Sequence, residues 1–128
     1  HIGDAYAYQE LLDMSGALPL GTDFPVEGID PLKTFYAAVV RKDVSGYPEE
    51  GFQMENAISR SNALKGMTLW AAYSNFEENE KGSIEVGKKA DFTVLDTDLL
   101  TCSPEEILKA KVLYTVINGE IVYMNKNP

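Results

Sequence analysis

The spacing of apolar residues changes along the chain, from a helical period in the first part to strand alternation in the last. The helical period predicts helices at about residues 5–15, 31–42 and 59–73. The start of the second helix is the best marked, because aspartate caps helices and proline suits the first helical position, and Asp30-Pro31 combines the two. Each helix presents an apolar face that must be buried.

The ends of these predicted helices carry further signals. Asp4 and Ser59 stand where N-caps of the first and third helices belong, and Gly16 stands where a left-handed C-terminal residue belongs. Arg41 falls in the last turn of the second helix. It could contact an anionic substrate, but it is more simply a surface cation that suits the negative end of the helix dipole, and it is left out of the predicted site. Between the first two helices, residues 17–22 predict a brief buried strand that glycine ends.

The last part of the chain shows strand patterns around one short helix. Residues 83–87 and 90–95 alternate between apolar and polar side chains, which predicts two strands joined by a tight turn. Ser103 and Glu106 have the spacing of a capping box, so a short helix is expected at about residues 104–110.

A β-hairpin is predicted at the end of the chain. Residues 112–117 and 120–124 are rich in β-branched and aromatic side chains. Asn118-Gly119 separates the two runs, and this pair best tolerates the positive φ angles of a type I′ turn.

The predicted strand at 17–22 and the helix at 31–42 form a single strand-helix unit. A parallel sheet needs neighbouring strands, and a lone buried strand leaves backbone groups unpaired at a cost of about 1–3 kcal/mol each. Two interpretations follow. Either the chain is the end of a larger fold, or it is an independent α+β domain in which this strand joins the C-terminal antiparallel sheet.

Composition narrows the function classes. The 128 residues are 45% hydrophobic and 24% charged, which is typical of a globular protein, and no apolar run approaches the roughly 20 residues of a membrane helix. The net charge of −9 has the wrong sign for nucleic acid. No signal-peptide pattern is visible at the N-terminus, which predicts a cytoplasmic protein, although a trimmed N-terminus would leave secretion or the periplasm open.

Metal-binding side chains are scarce. Cys102 is the only cysteine and His1 is the only histidine. A catalytic zinc site usually has three protein ligands, with histidine the commonest of them. The residues of this chain therefore predict no complete zinc site.

Three segments carry a resemblance to a known family: LGTDFPVEGIDPLKTFYAAVVRK, ALKGMTLWAAYSNFEENEKGSIEVGKKADFTVLD and TVINGEIVY. Together they resemble the C-terminal portion of the amidohydrolase superfamily. Within it they are most similar to the amidohydrolase-3 type of metal-dependent hydrolases, the group that includes N-substituted formamide deformylase. The block KGSIEVGKKADFTVLD is common to many amidohydrolases, whereas GTDFPVE followed by DPLKTFYAAVVRK indicates this branch.

The resemblance implies an α/β plus β fold made of two parts. Residues 1–80 would be the end of a (β/α)₈ TIM barrel, with 17–22 as its last strand and 31–42 as the helix after it. Residues 81–128 would be the C-terminal part of a small flanking β-sandwich. About two-thirds or more of a typical barrel would then lie outside this chain.

Asp23 is the candidate catalytic residue. Taken alone, it is most simply an aspartate in a turn that accepts hydrogen bonds from backbone amides near Pro25. The resemblance implies instead a carboxylate that contacts the active-site metal and serves as general base and then as general acid. Thr22 would orient this carboxylate and Phe24 would line the substrate pocket, with simple packing as the alternative for both.

The resemblance implies a divalent metal, zinc by expectation, and a small amide-like substrate whose C–N bond is hydrolysed by metal-activated water. The chain by itself is expected to be inactive and to bind no metal. A deaminase or another hydrolase on the same fold, and a non-enzymatic β-rich interaction module, are the alternatives. A truncated barrel would also expose the apolar faces of residues 8–12 and 32–40, which favours a homodimer.

Overall fold

The computed structural model describes residues 6–26 and 28–127. The helices in these ranges are α1 (Tyr8–Ser15), α2 (Pro31–Val40), α3 (Arg60–Met67), α4 (Leu69–Ser74) and α5 (Pro104–Ile107), with a short 3-10 turn at Met54–Asn56 between α2 and α3. The strands are β1 (Phe92–Leu95), β2 (Val112–Ile117) and β3 (Glu120–Met124). They form an antiparallel sheet in the order β1-β2-β3. Within the described ranges, no helix combines the length and apolar character needed to cross a membrane.

Helix α2 starts as the sequence predicts. The Asp30 carboxylate accepts a hydrogen bond from the backbone N–H of Leu32 at 3.0 Å, and Pro31 occupies the first turn. The helix ends at Val40, two residues before the predicted end, because Arg41 adopts a left-handed conformation. One face of α2 is buried against α3 and α5.

The core gathers around α2. Its buried members come from the helices and from the loops between them: Leu12, Phe35, Tyr36, Ala38, Ile58, Ala63, Leu99 and Ile107. Phe35 and Ile107 are fully enclosed. The predicted exposure of the apolar face at 32–40 is therefore wrong, because the later helices and loops of the same chain cover it. The face at 8–12 is covered in part, since Leu12 is buried while Leu11 is 49% exposed. The homodimer itself stays a prediction.

The predicted helix at 59–73 is two helices. Ser59 caps α3 as predicted, since its hydroxyl accepts a hydrogen bond from the N–H of Asn62 at 3.1 Å. The break lies at Thr68, whose φ and ψ are −127° and −91°. The Thr68 hydroxyl donates to the carbonyl of Leu64 at 2.7 Å, a contact that competes with regular helix geometry.

Helix α1 ends as predicted, with Gly16 in the left-handed region at φ 74°. It begins at Tyr8, later than the predicted residue 5, and no side chain of the described residues caps it. Asp4, the predicted cap, lies outside the described residues.

The strand predicted at 17–22 is wrong. The segment forms no sheet ladder with any described strand, and it does not join the C-terminal sheet either. It crosses α3 instead, where the N–H of Leu20 donates to the carbonyl of Gly66 at 2.9 Å. A ladder needs a neighbouring strand, and the described chain offers a helix at this place. The barrel strand implied by the resemblance is therefore not formed in this chain.

The strand predicted at 83–87 is also wrong. Ile84 and Val86 are almost fully exposed, and the backbone turns where the N–H of Lys88 donates to the carbonyl of Glu85 at 3.1 Å. Lys88 and Glu85 also form an ion pair at 2.8 Å. Alternation alone cannot form a strand without a partner. The neighbouring prediction holds in part, because β1 covers Phe92–Leu95.

The C-terminal hairpin is confirmed. Asn118 and Gly119 join β2 to β3 with φ angles of 52° and 80°, both positive as a type I′ turn requires. The Asp91 carboxylate accepts a hydrogen bond from the N–H of Asn118 at 2.7 Å and so ties the turn to the start of β1. The capping box is confirmed as well, since Glu106 accepts from the N–H of Ser103 at 2.7 Å, although α5 ends at Ile107 rather than at residue 110.

We predict that Gly66→Ala destabilises the protein by about 1–3 kcal/mol, because the segment before the Asp23 turn lies too close for a side chain. A Cβ at Gly66 would lie 2.8 Å from the Leu18 carbonyl oxygen and 2.8 Å from the Leu20 Cγ. This contact outweighs the gain of about 1 kcal/mol that alanine normally gives within a helix. Urea unfolding of both proteins measures the difference.

Gly28→Ala is the matched control, because a Cβ there meets nothing within 4 Å. We expect its free energy of unfolding to stay within about 1 kcal/mol of the wild type. Equal stabilities of the two variants would contradict the close approach at α3.

Candidate functional site

Asp23 lies at the first position of a turn over residues 23–26. Its backbone is in the left-handed region at φ 49°, and its carbonyl accepts a hydrogen bond from the N–H of Val26 at 2.8 Å. Aspartate tolerates this conformation better than most residues, yet the position is still uncommon. The carboxylate is exposed and accepts no hydrogen bond within the described chain. Asp23 thus lies in a turn as predicted, but the predicted hydrogen bonds from backbone amides near Pro25 to its carboxylate are wrong for the described residues. The carboxylate is left available to a ligand.

A cavity of about 540 Å³ lies beside this turn. Its walls come from the residues before α1, the Asp23 turn, the outer side of α2 and the loop after α2. The aromatic residues in the walls are Tyr6, Tyr8, Tyr47 and Phe52. The charged residues are Asp23, Lys33, Arg41, Lys42 and Asp43.

The sequence-predicted neighbours of Asp23 lie in different places. Thr22 is half-buried and lines the cavity together with Asp23. Phe24 is 62% exposed and is not among the wall residues. Its substrate-lining role stays a prediction that would need contacts from outside the described chain.

Arg41 is the residue that the sequence analysis left out of the site. It caps α2 in a left-handed conformation, φ 58°, with its N–H donating to the carbonyl of Ala37 at 3.0 Å. The side chain is only 6% exposed, so the prediction of a surface cation is wrong. The loop after α2 folds back over it, which the helical pattern does not show.

The Arg41 guanidinium joins three parts of the chain. Its Nε donates to the carbonyl of Phe52 and its Nη1 donates to the carbonyl of Tyr6, both at 2.8 Å. The guanidinium carbon also lies 5.2 Å from the centre of the Tyr8 ring and 5.4 Å from that of the Phe52 ring. These are cation–π distances. The side chain therefore holds the cavity wall together.

Among residues 6–26 and 28–127, no carboxylate forms an ion pair with Arg41. Burial lowers the pKa of Arg41 from its ordinary value, while the charges of Tyr8 and Glu55 act in the opposite direction. The Nη2 atom is buried and has no hydrogen-bond partner among the described residues. An unsatisfied buried donor of this kind costs about 1–3 kcal/mol or more.

Asp43 organises the loop that carries Tyr47. Its Oδ1 accepts hydrogen bonds from the N–H of Ser45 at 2.8 Å, the hydroxyl of Ser45 at 2.6 Å and the N–H of Tyr47 at 3.0 Å. These bonds, the Ser45 hydroxyl foremost, lower the pKa of Asp43. The loop is thereby fixed against the cavity.

The amidohydrolase family model matches residues 2–123 of the chain. The chain belongs to the amidohydrolase family. The chain is 30% identical over 118 residues to the N-substituted formamide deformylase of Arthrobacter pascens. The aligned region is 92% of the chain and 21% of that protein. It is 32% identical over 119 residues to the putative amidohydrolase YtcJ of Bacillus subtilis strain 168, covering 93% of the chain and 22% of that protein.

A plant protein is similar to the same extent. Protein LONG AFTER FAR-RED 3 of Arabidopsis thaliana is 32% identical over 122 residues, which is 95% of the chain and 20% of that protein. The chain thus spans about a fifth of the length of the curated relatives it matches. No solved structure matches it. The resemblance found in the sequence is confirmed, and membership of the family supports a hydrolase.

The described part of this amidohydrolase does not by itself fit a metal ion. No group of three or more His, Cys, Asp or Glu side chains converges among residues 6–26 and 28–127. The Asp43 carboxylate lines the cavity but already accepts bonds from its own loop, which leaves Asp23 as the free carboxylate of the wall. One carboxylate falls short of the three protein ligands of a catalytic zinc site.

We predict that Ser45→Ala raises the pKa of Asp43 toward its ordinary value, because the strongest bond to the carboxylate is removed. A carboxylate with a lowered pKa in the folded state stabilises the fold above its unfolded pKa. That contribution is lost as the pH falls through the folded pKa. Titration of the Asp43 carboxyl carbon by NMR measures the pKa in both proteins.

The matched control is Ser61→Ala, a serine on the exposed side of α3 outside the cavity. It should leave the titration of Asp43 unchanged. If Asp43 titrates alike in the Ser45 variant and the wild type, the hydroxyl does not stabilise the charged carboxylate.

Proposed function

We propose that the chain is the C-terminal part of a metal-dependent amidohydrolase that hydrolyses the C–N bond of a small amide-like substrate, with Asp23 as general base and then general acid. Residues 1–80 would complete the end of its TIM barrel and residues 81–128 its β-sandwich. The observation that carries the proposal is the Asp23 carboxylate, which lies on a cavity wall without a hydrogen-bond partner in the described chain.

The position of Asp23 supports this role. The residue follows the segment 17–22 that the resemblance implies as the last barrel strand and precedes the loop to α2, and catalytic groups of barrel enzymes lie where strands end. Its left-handed backbone places an uncommon conformation at the candidate site, as is frequent for functional residues. In the longer protein, neighbouring barrel strands would supply the ladder partners that segment 17–22 does not have here.

The proposed chemistry of Asp23 is proton transfer. Its carboxylate takes a proton from water during attack on the amide carbonyl and returns it to the departing amine, which is otherwise too basic to leave. A divalent metal, zinc by expectation, would be held by Asp23 and by ligands from outside this chain. The metal would make water a nucleophile near neutral pH. Thr22 would orient the carboxylate, and Phe24 would line the substrate pocket together with residues from outside this chain.

A relative supports the choice of bond. The name N-substituted formamide deformylase describes removal of a formyl group from an N-substituted amide, which is cleavage of a C–N bond. The same reaction class is proposed for the protein to which this chain belongs. An interaction module without activity fits the family less well.

We predict that Asp23→Asn in the longer protein lowers kcat for amide hydrolysis by about 10²- to 10⁴-fold, since the amide cannot take the proton. Glu10→Gln is the control, because Glu10 is an exposed acid on α1 outside the cavity. Steady-state kinetics on an N-substituted formamide measures the effect. Wild-type turnover by the Asp23 variant would refute its role.

We also predict that the 128-residue chain alone hydrolyses no amide and binds no stoichiometric zinc, because it provides a single free site carboxylate. Amine release and isothermal titration with zinc chloride measure the two properties. Zinc bound at one ion per monomer, or amidase activity of the chain, would contradict the proposal.

A further inference from the structure

We propose that the cavity beside Asp23 binds a carboxylate through Arg41, so that the amide substrates of this protein carry an anionic group. The substrate class rests on the proposed function, whereas carboxylate binding by the chain does not. Carboxylate binding bears on the substrate class because Arg41 and Asp23 lie in the walls of the same cavity.

The Arg41 side chain is buried with one of its donors unpaired among the described residues. It is 94% buried, given its 6% exposure, and its Nε and Nη1 are bound to backbone carbonyls. Nη2 remains with no partner in the described chain. Burying a charged donor without an acceptor is costly, and a carboxylate oxygen is the acceptor that suits a guanidinium best.

The charged residues of the cavity walls also support an anionic ligand. The whole chain carries a net charge of −9, yet Lys33, Arg41 and Lys42 all line this cavity. Two acids, Asp23 and Asp43, lie in the same walls, so three cations stand against two carboxylates. The walls are therefore more positive than the acidic protein as a whole, which favours an anionic ligand.

The left-handed backbone of Arg41 also supports a role for its side chain. Glycine is the usual residue at a left-handed helix C-cap, because it has no Cβ, and other residues adopt this conformation at a cost. An arginine in this conformation at φ 58° indicates that its side chain contributes something glycine cannot. Its two bonds to carbonyls explain part of that contribution, and Nη2 is left to donate to a ligand, since it has no partner in the described chain.

The rest of the cavity suits an apolar body on the ligand. Tyr8 and Phe52 lie beside the guanidinium, and Tyr47 lines the same cavity. Nη2 is itself buried, so a ligand oxygen reaches it only after a neighbouring side chain moves. Phenylacetate, an aromatic ring with one carboxylate, is a suitable probe.

The experiment titrates the 128-residue chain with phenylacetate and with 2-phenylacetamide, which has a similar shape and no charge. The Arg41 Nε–Hε resonance and the backbone amides are followed by ¹⁵N NMR. We expect phenylacetate to shift the Arg41 resonance and the amides of residues 41–52, and to bind at least about tenfold more tightly than the amide. Equal affinities, or an unshifted Arg41 resonance at saturation, would overturn the proposal.

Variants separate Arg41 from general charge. Arg41→Lys keeps the charge and loses the planar fork, so phenylacetate should bind about tenfold more weakly. Lys65→Met removes one exposed cation of α3 outside the cavity and should leave the affinity within about twofold. A folded Arg41→Lys protein with wild-type affinity would overturn the proposal. If that variant does not fold, the wild-type Arg41 resonance decides alone.

The two proposals fail separately. Asp23→Asn should bind phenylacetate as tightly as the wild type or more tightly, because a negative charge leaves the cavity, although hydrolysis by the longer protein is expected to be lost. Phenylacetate binding without amidase activity of the longer protein would refute the proposed function and leave the carboxylate site intact. Amidase activity without selectivity for the carboxylate would refute this inference alone.

Discussion

Burial of one face of α2 is the constraint on which the rest of the structure depends. Phe35 is fully enclosed in the cluster that also holds Ile107 of α5, and complete burial of such a side chain is worth about 1.5–3 kcal/mol. Because this face is held against α3 and α5, both ends of α2 are fixed in space. The Asp23 turn precedes one end, Arg41 follows the other, and the outer side of the helix becomes a cavity wall.

Arg41 connects the end of α2 to the other segments that form the cavity walls. Its guanidinium binds carbonyls on either side of the cavity, from Tyr6 before α1 and from Phe52 after the loop. These are neutral acceptors, and no carboxylate of the described residues forms an ion pair with the guanidinium. The side chain that holds these two loops together therefore keeps its positive charge in a wall of the cavity that the exposed Asp23 carboxylate also lines.

The candidate site was only partly predictable from the sequence. Asp23 was identified because it follows an apolar segment with a strand pattern and lies within a motif that resembles a known family. Both signals come from contiguous residues. Arg41 was interpreted as a surface cation because the helical pattern places it at a helix end, where cations are usually solvated. Its burial depends on Tyr6, 35 residues earlier, and Phe52, 11 residues later, and such contacts leave no trace in a periodic pattern.

The sequence by itself determined the features whose interactions span a few residues. The Asp30 cap, the Ser59 cap and the Asn118-Gly119 turn all form as predicted, because each rests on a bond or a φ angle that neighbouring residues settle. The family membership was readable for the same reason, from contiguous segments. Tertiary structure decided the rest. Residues 17–22 and 83–87 have the composition of strands, yet a strand exists only when a second strand supplies its hydrogen bonds, and here α3 or solvent stands in that place.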